Sequence, residues 1–443
     1  MHTFKIAVFT TLCILFFNTV NAQNDDAINT YTPYSFYGVG DLSSPGFAPQ
    51  RGMGGIGIGL RSTRAINYLN PAALSVHDTL SFMFDFGAEM QNYYLSTSNN
   101  STASNSFNMH HISMSFPVWN KMVVALSVMP YSSVGYRVKQ KETNPLIINE
   151  VGDITYTNQG EGGLNQVMMS LGYSLRSLFP NSALGHFSVG GQAQYIFGSI
   201  DRYSNVAFNS DPSNANVNAG QHIKASNFAF GLGLQYDMPI QKKYHLTLGA
   251  TYLFKNNMDV QKVDFAYRTG GWGTDTVRYN VNKNAQLYVP ASVGFGATFS
   301  QDEKWLVGFD YTYRDWSGAT FDVPASTTPS NRVFKAVSEH AFRAGFETTP
   351  NRNDIRYFLK RWTYRAGLYY ENTYLQFDDT RIKNYGMTFG VGVPIGSRKN
   401  AINVSTELGQ RGTLDNDLIR EIYWKLSVSV SLYDIWFVTQ KFE

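Results

Sequence analysis

From residue 80 onward, apolar side chains recur at every second position. In 385–395, Tyr385, Met387, Phe389, Val391, Val393 and Ile395 alternate with Gly386, Thr388, Gly390, Gly392 and Pro394. In 424–432 the second set is Lys425, Ser427, Ser429 and Ser431. Segments 228–236 and 287–299 show the same period, the latter with Leu287, Val289, Ala291, Val293, Phe295, Ala297 and Phe299 on one side. Successive side chains of a strand point to opposite faces, so a period of two predicts strands. A soluble sandwich alternates as well. Here the second face is small rather than charged, which suits a narrow or filled lumen. The apolar face is long and ends in aromatics, which suits lipid with interfacial girdles.

Fourteen such segments are expected, at 80–96, 106–118, 121–139, 165–178, 186–204, 225–238, 243–260, 285–299, 304–316, 336–349, 362–378, 382–395, 400–412 and 420–436. Short connections follow the even-numbered strands: 118–121, 238–243, 299–304 and 395–400. Longer polar ones follow odd-numbered strands: 141–164, 205–224, 261–284 and 318–335. Short turns on one side and long loops on the other are the signature of an outer-membrane barrel. The rule fails once, where 379–381 is short and 350–361 is long. An even number of strands places both termini in the periplasm. Trp119, Trp305, Trp316, Trp362 and Trp436 fall near strand ends, as expected of an aromatic girdle. The fold class is therefore all-β, a transmembrane antiparallel barrel of about fourteen strands.

Composition sharpens this. Charged residues are 16% of the 443, against roughly 25% in an average soluble domain. Aromatics reach 15%. Spanning helices need ~20 consecutive apolar residues, and beyond the first 22 positions the sequence contains no such run. A net charge of +3 gives no reason to expect nucleic acid as a partner.

Residues 1–22 read as a secretory signal peptide: Lys5, an apolar stretch from Ile6 to Phe17, and small or tolerated residues before Gln23. Cys13, the one cysteine, lies inside that stretch, which leaves the mature chain without disulfides or cysteine ligands. Residues 23–78 show no alternation. They are rich in Gly, with Arg51, Arg61 and Arg64 dispersed and apolar residues throughout. Such a stretch is expected to pack, and the lumen of a wide barrel is the available place. The expected organisation is a signal peptide at 1–22, an N-terminal hatch or plug at 23–78 and the barrel at 79–443.

Gly52, Gly54, Gly55 and Gly57 match a nucleotide-binding spacing formally, but the strand before and helix after that such a site needs are missing. They are read instead as a glycine-rich hatch turn. His110 and His111 are adjacent, so a regular strand sends them to opposite faces. The Asp378-Asp379 pair reads as a solvated turn. No metal site, catalytic residue or cofactor is expected, and the chain is not read as an enzyme.

The run Arg51-Gly-Met-Gly-Gly-Ile-Gly-Ile-Gly59, followed by Ala65-Ile-Asn-Tyr-Leu-Asn70-Pro71-Ala72-Ala73-Leu74 and then the first strand, resembles the start of the FadL-type outer-membrane transporters. It is most similar to their Bacteroidota branch. The resemblance implies a hatch bearing Asn70, Pro71 and Ala72 inside a fourteen-stranded barrel in the outer membrane. It also implies passive uptake of hydrophobic molecules of the fatty-acid or hydrocarbon class, released sideways at a kinked third strand. Pro130 lies mid-strand in the third segment and cannot donate a ladder hydrogen bond, so it is the candidate lateral opening. The implied partners are outer-membrane lipid and a hydrophobic ligand. The resemblance carries an alternative too: members of that branch serve as structural or docking barrels in protein-secretion and barrel-assembly complexes, with protein partners. An open path to Pro130 would favour transport; a blocked lumen with an exposed apolar patch on the loops or turns would favour docking.

Overall fold

Nearly every strand pairs with its neighbours in sequence, as a meander must, and the last pairs with the first. The computed structural model describes residues 30–435 except 120–121, 176–184, 211–214, 241–242, 272, 302–303, 320–332 and 397–398. Residues 1–22, read as a signal peptide, and Trp436, read as a girdle residue, lie outside the described residues. The sheet closes as an antiparallel barrel of fourteen strands. They are β1 (Ser81–Ser96), β2 (Ser101–Trp119), β3 (Met122–Ser133 continued by Tyr136–Lys141), β4 (Ile154–Ser174), β5 (His186–Phe208), β6 (Asn216–Ile240) and β7 (Tyr244–Leu253 continued by Asn256–Gly270). There follow β8 (Gly273–Val289 and Ser292–Gln301), β9 (Trp305–Arg314), β10 (Phe334–Ala336 and Glu339–Thr348), β11 (Thr363–Phe377), β12 (Thr380–Pro394), β13 (Ala401–Arg411) and β14 (Arg420–Ile435). β14 pairs with β1 from Arg420↔Ser96 to Ile435↔Ser81, which joins the two edges. Ser81 and Ile435 thus lie at the same end, here termed the near rim.

The alternation maps onto outside and inside. Phe228, Phe230, Leu232 and Leu234 are exposed on the outer wall of β6, while Ala229 and Gln235 are buried inward. Tyr385, Met387 and Phe389 of β12 face out in the same way, and Ser427, Ser429 and Ser431 of β14 face in.

Four expectations change. Of the segments read as long polar loops, 205–224 and 261–284 are largely strand, and 141–164 is strand from Ile154 onward after a short helix, Pro145–Val151. β4 and β5 pair continuously from Ile154↔Phe208 to Ser174↔Ser188, and β7 with β8 pairs up to Gly270↔Gly273. Residues 273–284 of β8 are exposed on both faces, so the ladder continues there while the apolar alternation that marks strands stops. Second, 287–299 is not one uniform strand. It breaks at Pro290–Ala291, and the odd positions change side: Leu287 and Val289 are buried in the lumen, whereas Phe295 and Phe299 face outward. Pro290 brings no N–H to the ladder, and the break resets the pleat. Third, Trp316 is no girdle residue. It is fully buried, stacked on Tyr374 with ring centroids 4.5 Å apart, and its indole N–H donates to Glu339. Fourth, both His110 and His111 are buried on the inside, because a bulge opposite Gly87–Ala88 inserts His110 as an extra residue.

The one failure of the loop rule is present in three dimensions. Thr380↔Phe377 leaves a two-residue turn between β11 and β12, with Asp378 at φ 49°, while β10 and β11 are joined at the near rim by 349–362.

Residues 30–77 pack against the inward faces of the strands, and 78–80 are exposed. A 3-10 turn (Pro33–Phe36), a two-residue strand (Asp41–Leu42), a short helix α1 (Ala48–Arg51) and a second 3-10 turn (Pro71–Val76) are the regular pieces of this segment. Its backbone meets wall glycines directly. An added Cβ at Gly367 would collide with the backbone N of Gly54, one at Gly249 with the carbonyl of Ile58, and one at Gly190 with Pro71 and the N of Ala72. The small faces of the strands are the landing surface of the inner segment. At Gly191 the same construction meets open space. We therefore expect Gly367→Val to cost at least ~1–3 kcal/mol by overpacking and to expose 43–65 to protease in detergent, with Gly191→Val as an unaffected control. Equal protease resistance of the two variants would refute this packing.

Candidate functional site

Two features inside the wall set what the barrel can pass: the fixing of the inner segment, and a separation between β2 and β3.

The far half of the lumen is closed by an apolar core. Tyr34, Phe36, Tyr37 and Val39 of the inner segment pack on Tyr136, Trp316, Tyr374 and Phe377 from the wall. Phe36 and Tyr37 meet edge-on at 4.9 Å, Tyr37 and Phe377 at 4.7 Å, and Phe36 and Tyr136 at 5.4 Å. Edge-to-face pairs at these separations add ~0.5–1.5 kcal/mol each to the area buried.

Below that core the segment is held by buried polar groups. The Arg51 guanidinium is ion-paired with Glu89 of β1 and donates to Ser427 of β14 at 3.1 Å and to the backbone carbonyls of Gly46 and Ser44. His110 Nε2 lies 2.8 Å from Arg51, its Nδ1 2.8 Å from His111 Nδ1, and His111 Nε2 2.5 Å from Asp85. Higher up, Arg411 of β13 reaches Asp41 at 2.5 Å and Glu421 at 2.6 Å. Arg202 donates to the carbonyl of Gly38 at 2.7 Å. Removing one partner of a buried ion pair costs ~3–5 kcal/mol, so these pairs fix the segment firmly once formed.

The glycine-rich turn is placed by its backbone. Gly54 and Gly55 adopt φ +70° and +81°, conformations open to glycine. The N–H groups of Gly57 and Ile58 donate to the Asp310 carboxylate at 2.6 and 2.8 Å, and that of Gly54 to Thr388 at 2.8 Å. A Cβ added at Gly52 would come within 3.0 Å of the Gly390 Cα. Asn70 caps the 3-10 turn that follows it, accepting from the N–H of Ala72 at 3.1 Å, and donates to the carbonyls of Ile58 at 2.8 Å and Leu234 at 3.1 Å. Pro71 fits against Gly172, Gly190 and Gly233 of three successive strands, and Ala72 is fully buried beside it. Asn70, Pro71 and Ala72 and the four glycines are thus brought to one interface between segment and wall, with no ligand-like grouping among them. Among the described residues no cluster of metal-ligating side chains occurs.

Pro130 stands apart. Among the described residues the β2–β3 ladder runs from Trp119↔Met122 to Ile112↔Val128 and stops there. Beyond it β3 pairs outward only with β4, with a register shift between Pro130 and Ser132. The edge so released is taken from inside: Asp41 and Leu42 pair with Ser133 and Ser132, and Ser43 N–H donates to the Tyr131 carbonyl at 3.1 Å. A cavity of about 450 Å³ fills the separation, walled by Asn108 and His110 of β2, Ser132 and Ser133 of β3, and Arg51 and Glu89 behind. A second, of about 190 Å³, lies deeper in the lumen by Tyr68, Gln192 and Asp310. The two share Leu42, Ser43, His110 and Pro130 as a common wall. The larger is walled mainly by hydroxyl, amide and charged groups, whereas Ile58, Leu69, Met129, Met168 and Leu253 give the smaller a more apolar wall.

Sequence reasoning missed the ionic anchors and the Asp41–Leu42 strand. Glu89, Asp310, Glu407 and Glu421 were legible as carboxylates on otherwise small strand faces. A charge facing a filled lumen needs a partner there.

At the near rim His77 is buried against Ser115, 3.1 Å away. Burial lowers its pKa from 6.5 to about 4, with Asp78 opposing and Lys399 reinforcing the effect. The unfolded chain binds this proton at higher pH than the folded one, so stability is full above about 6.5 and lost as pH falls towards 4, by ~3 kcal/mol in all. The difference in thermal midpoint between wild type and His77→Gln should change through that window and be flat above pH 7. A flat difference throughout would show that the buried imidazole does not govern this packing.

The family described as BamG matches residues 4–443. No curated protein matches the chain. Among solved structures, the Pseudomonas putida toluene transporter TodX is 16% identical, with a TM-score of 0.54, over 90% of this chain and 100% of that one. The Ralstonia pickettii toluene transporter TbuX is 13% identical at TM-score 0.54, over 88% and 98%. A Pseudomonas aeruginosa FadL homologue is 12% identical at TM-score 0.51, over 89% and 99%. At these identities the likeness establishes a common fold, that of FadL- and TodX-type barrels.

Proposed function

The chain belongs to the BamG family, and from that premise we propose that it is a closed outer-membrane barrel serving as a docking subunit of a larger membrane-protein complex. Both termini then lie on the periplasmic side, residues 1–22 are the export signal, and 23–78 form the plug. The resemblance of 51–74 to the Bacteroidota branch of FadL-type barrels supports that assignment. The observation that carries the reading is the apolar core of the far lumen, built by Tyr34, Phe36 and Tyr37 of the chain itself. A hydrocarbon site needs a mostly apolar cavity. Here the apolar surface of the far lumen is already spent on the plug, the larger of the two lumen cavities is mainly polar, and the apolar one is only about 190 Å³.

A surface for docking accompanies the closed lumen. The near-rim connection 349–362 is well ordered: the Asn351 N–H donates to the Lys360 carbonyl at 2.8 Å, and the Asp354 carboxylate accepts from the N–H groups of Arg356 and Tyr357 at 2.8 and 2.7 Å. It nevertheless presents Ile355 fully exposed, with Tyr357 and Leu359 each 59% exposed. Burying such side chains is worth ~1.5–3 kcal/mol apiece. Arg356 and Lys360 flank them, which suits a protein partner with an acidic rim.

A second reading, passive uptake of a hydrophobic compound with sideways release, is favoured by one observation: the β2–β3 ladder ends two residues before Pro130. It requires Asp41–Leu42 to leave the β3 edge. The neighbours titled toluene transporters lend it support.

Native mass spectrometry of protein extracted gently from its own membrane separates the two. Docking predicts a protein partner at fixed stoichiometry that is lost in an Ile355→Asp/Leu359→Asp double variant. A lone chain carrying a hydrophobic small molecule would overturn docking and support uptake.

A further inference from the structure

The near rim holds a cavity of about 290 Å³ between the plug and the barrel wall. Its plug side is formed by Pro49, Gln50, Met53 and Leu60. Arg61, Arg64, Lys304, Arg352, Arg361 and Lys399 all border it. The remaining charged wall residues are Arg365 and Glu347, which pair with each other at 2.7 Å. Lys399 is paired with Asp78. Arg61 donates to Ser188 at 3.1 Å and Arg352 to Thr349 at 3.1 Å, both neutral hydroxyls. The Nε atoms of Arg352 and Arg361 are buried and make no hydrogen bond among the described residues.

We propose that this cavity is an oxyanion-binding site, taking a carboxylate or phosphate group presented from the aqueous side of the near rim. Buried donors left unmade cost free energy, and like charges gathered in a confined space repel. An anion relieves both at once. Guanidinium groups match carboxylate and phosphate oxygens through paired N–H donors, so arginine is the residue type expected. The site sits within the wall and below the plug, away from the lipid-facing surface, so the group arrives on a water-soluble ion or on a protein segment. Its arginines come from three places: the plug (Arg61, Arg64), the exposed connection (Arg352, Arg361) and β11 (Arg365). A bound anion therefore ties plug, rim and wall together. The inference stands on the cavity alone and holds whether the barrel docks a partner or passes a ligand.

The test is calorimetric titration of the full-length protein in neutral detergent at low salt, with inorganic pyrophosphate in one arm and a hexaglutamate peptide in the other. Saturable binding is expected, weakened roughly tenfold or more in an Arg352→Gln/Arg361→Gln variant and by less in the corresponding double-Lys variant, which keeps charge but loses the paired donors. Salt should weaken it further. Tighter binding of pyrophosphate assigns a soluble ion, and tighter binding of the peptide an acidic protein segment; either upholds the site. No saturable binding of either probe, or affinities unchanged in the Gln variant, would overturn it. Retained heat-dependent gel mobility shows that each variant is folded.

Discussion

Backbone meets backbone between the plug and the barrel wall, and the rest of the structure depends on that close approach. The turn around Gly52, Gly54 and Gly55 lies on Gly345, Gly367 and Gly390, and Ile58–Gly59 lies on Gly249 and Gly296. Side chains on both surfaces would hold them several ångströms apart. With glycine there, amides of the plug reach acceptors on the wall, such as Asp310 and Thr388. The contact leaves a cavity of only about 190 Å³ beside Ile58 and Asp310 in the middle of the lumen. It also explains why the inward faces of so many strands are small.

Once the plug is seated so closely, its charges must be answered from the wall. Arg51 meets Glu89, and Asp41 meets Arg411. These pairs are deep, so they contribute less to net stability than to choosing one position for the plug. The same logic runs to the far end, where aromatic packing takes over, and to the near rim, where Arg352 and Arg361 are ion-paired with no carboxylate among the described residues. Closure of the lumen, the small size of its inner cavity and the basic rim cavity are consequences of one packing decision.

Much of the barrel was legible in sequence because lipid on one side and a filled lumen on the other impose a period of two. The fourteen strands and the Gly-rich inner segment follow from it. Where water replaces lipid the constraint lapses, and the paired extensions of β4 to β8 read as loops. Proline and bulges also defeat parity reasoning: Pro290 switches the faces of β8, and the extra residue His110 turns two neighbouring imidazoles inward. Trp316 shows that an aromatic at a strand end serves the lumen core as readily as the girdle. Asn70, Pro71 and Pro130 were visible as motifs, but the partners that give them meaning, Leu234, Gly190 and the Asp41–Leu42 strand, are far away in sequence. The carboxylates on small strand faces were the unused clue to the ionic anchors.

The central claim is that the plug closes the lumen. Planar-bilayer recording of the full-length protein tests it most directly. The account predicts no steady open-channel current across moderate voltages, because apolar core and ion pairs leave no continuous water path. A stable conductance of the size expected for a water-filled pore would contradict it.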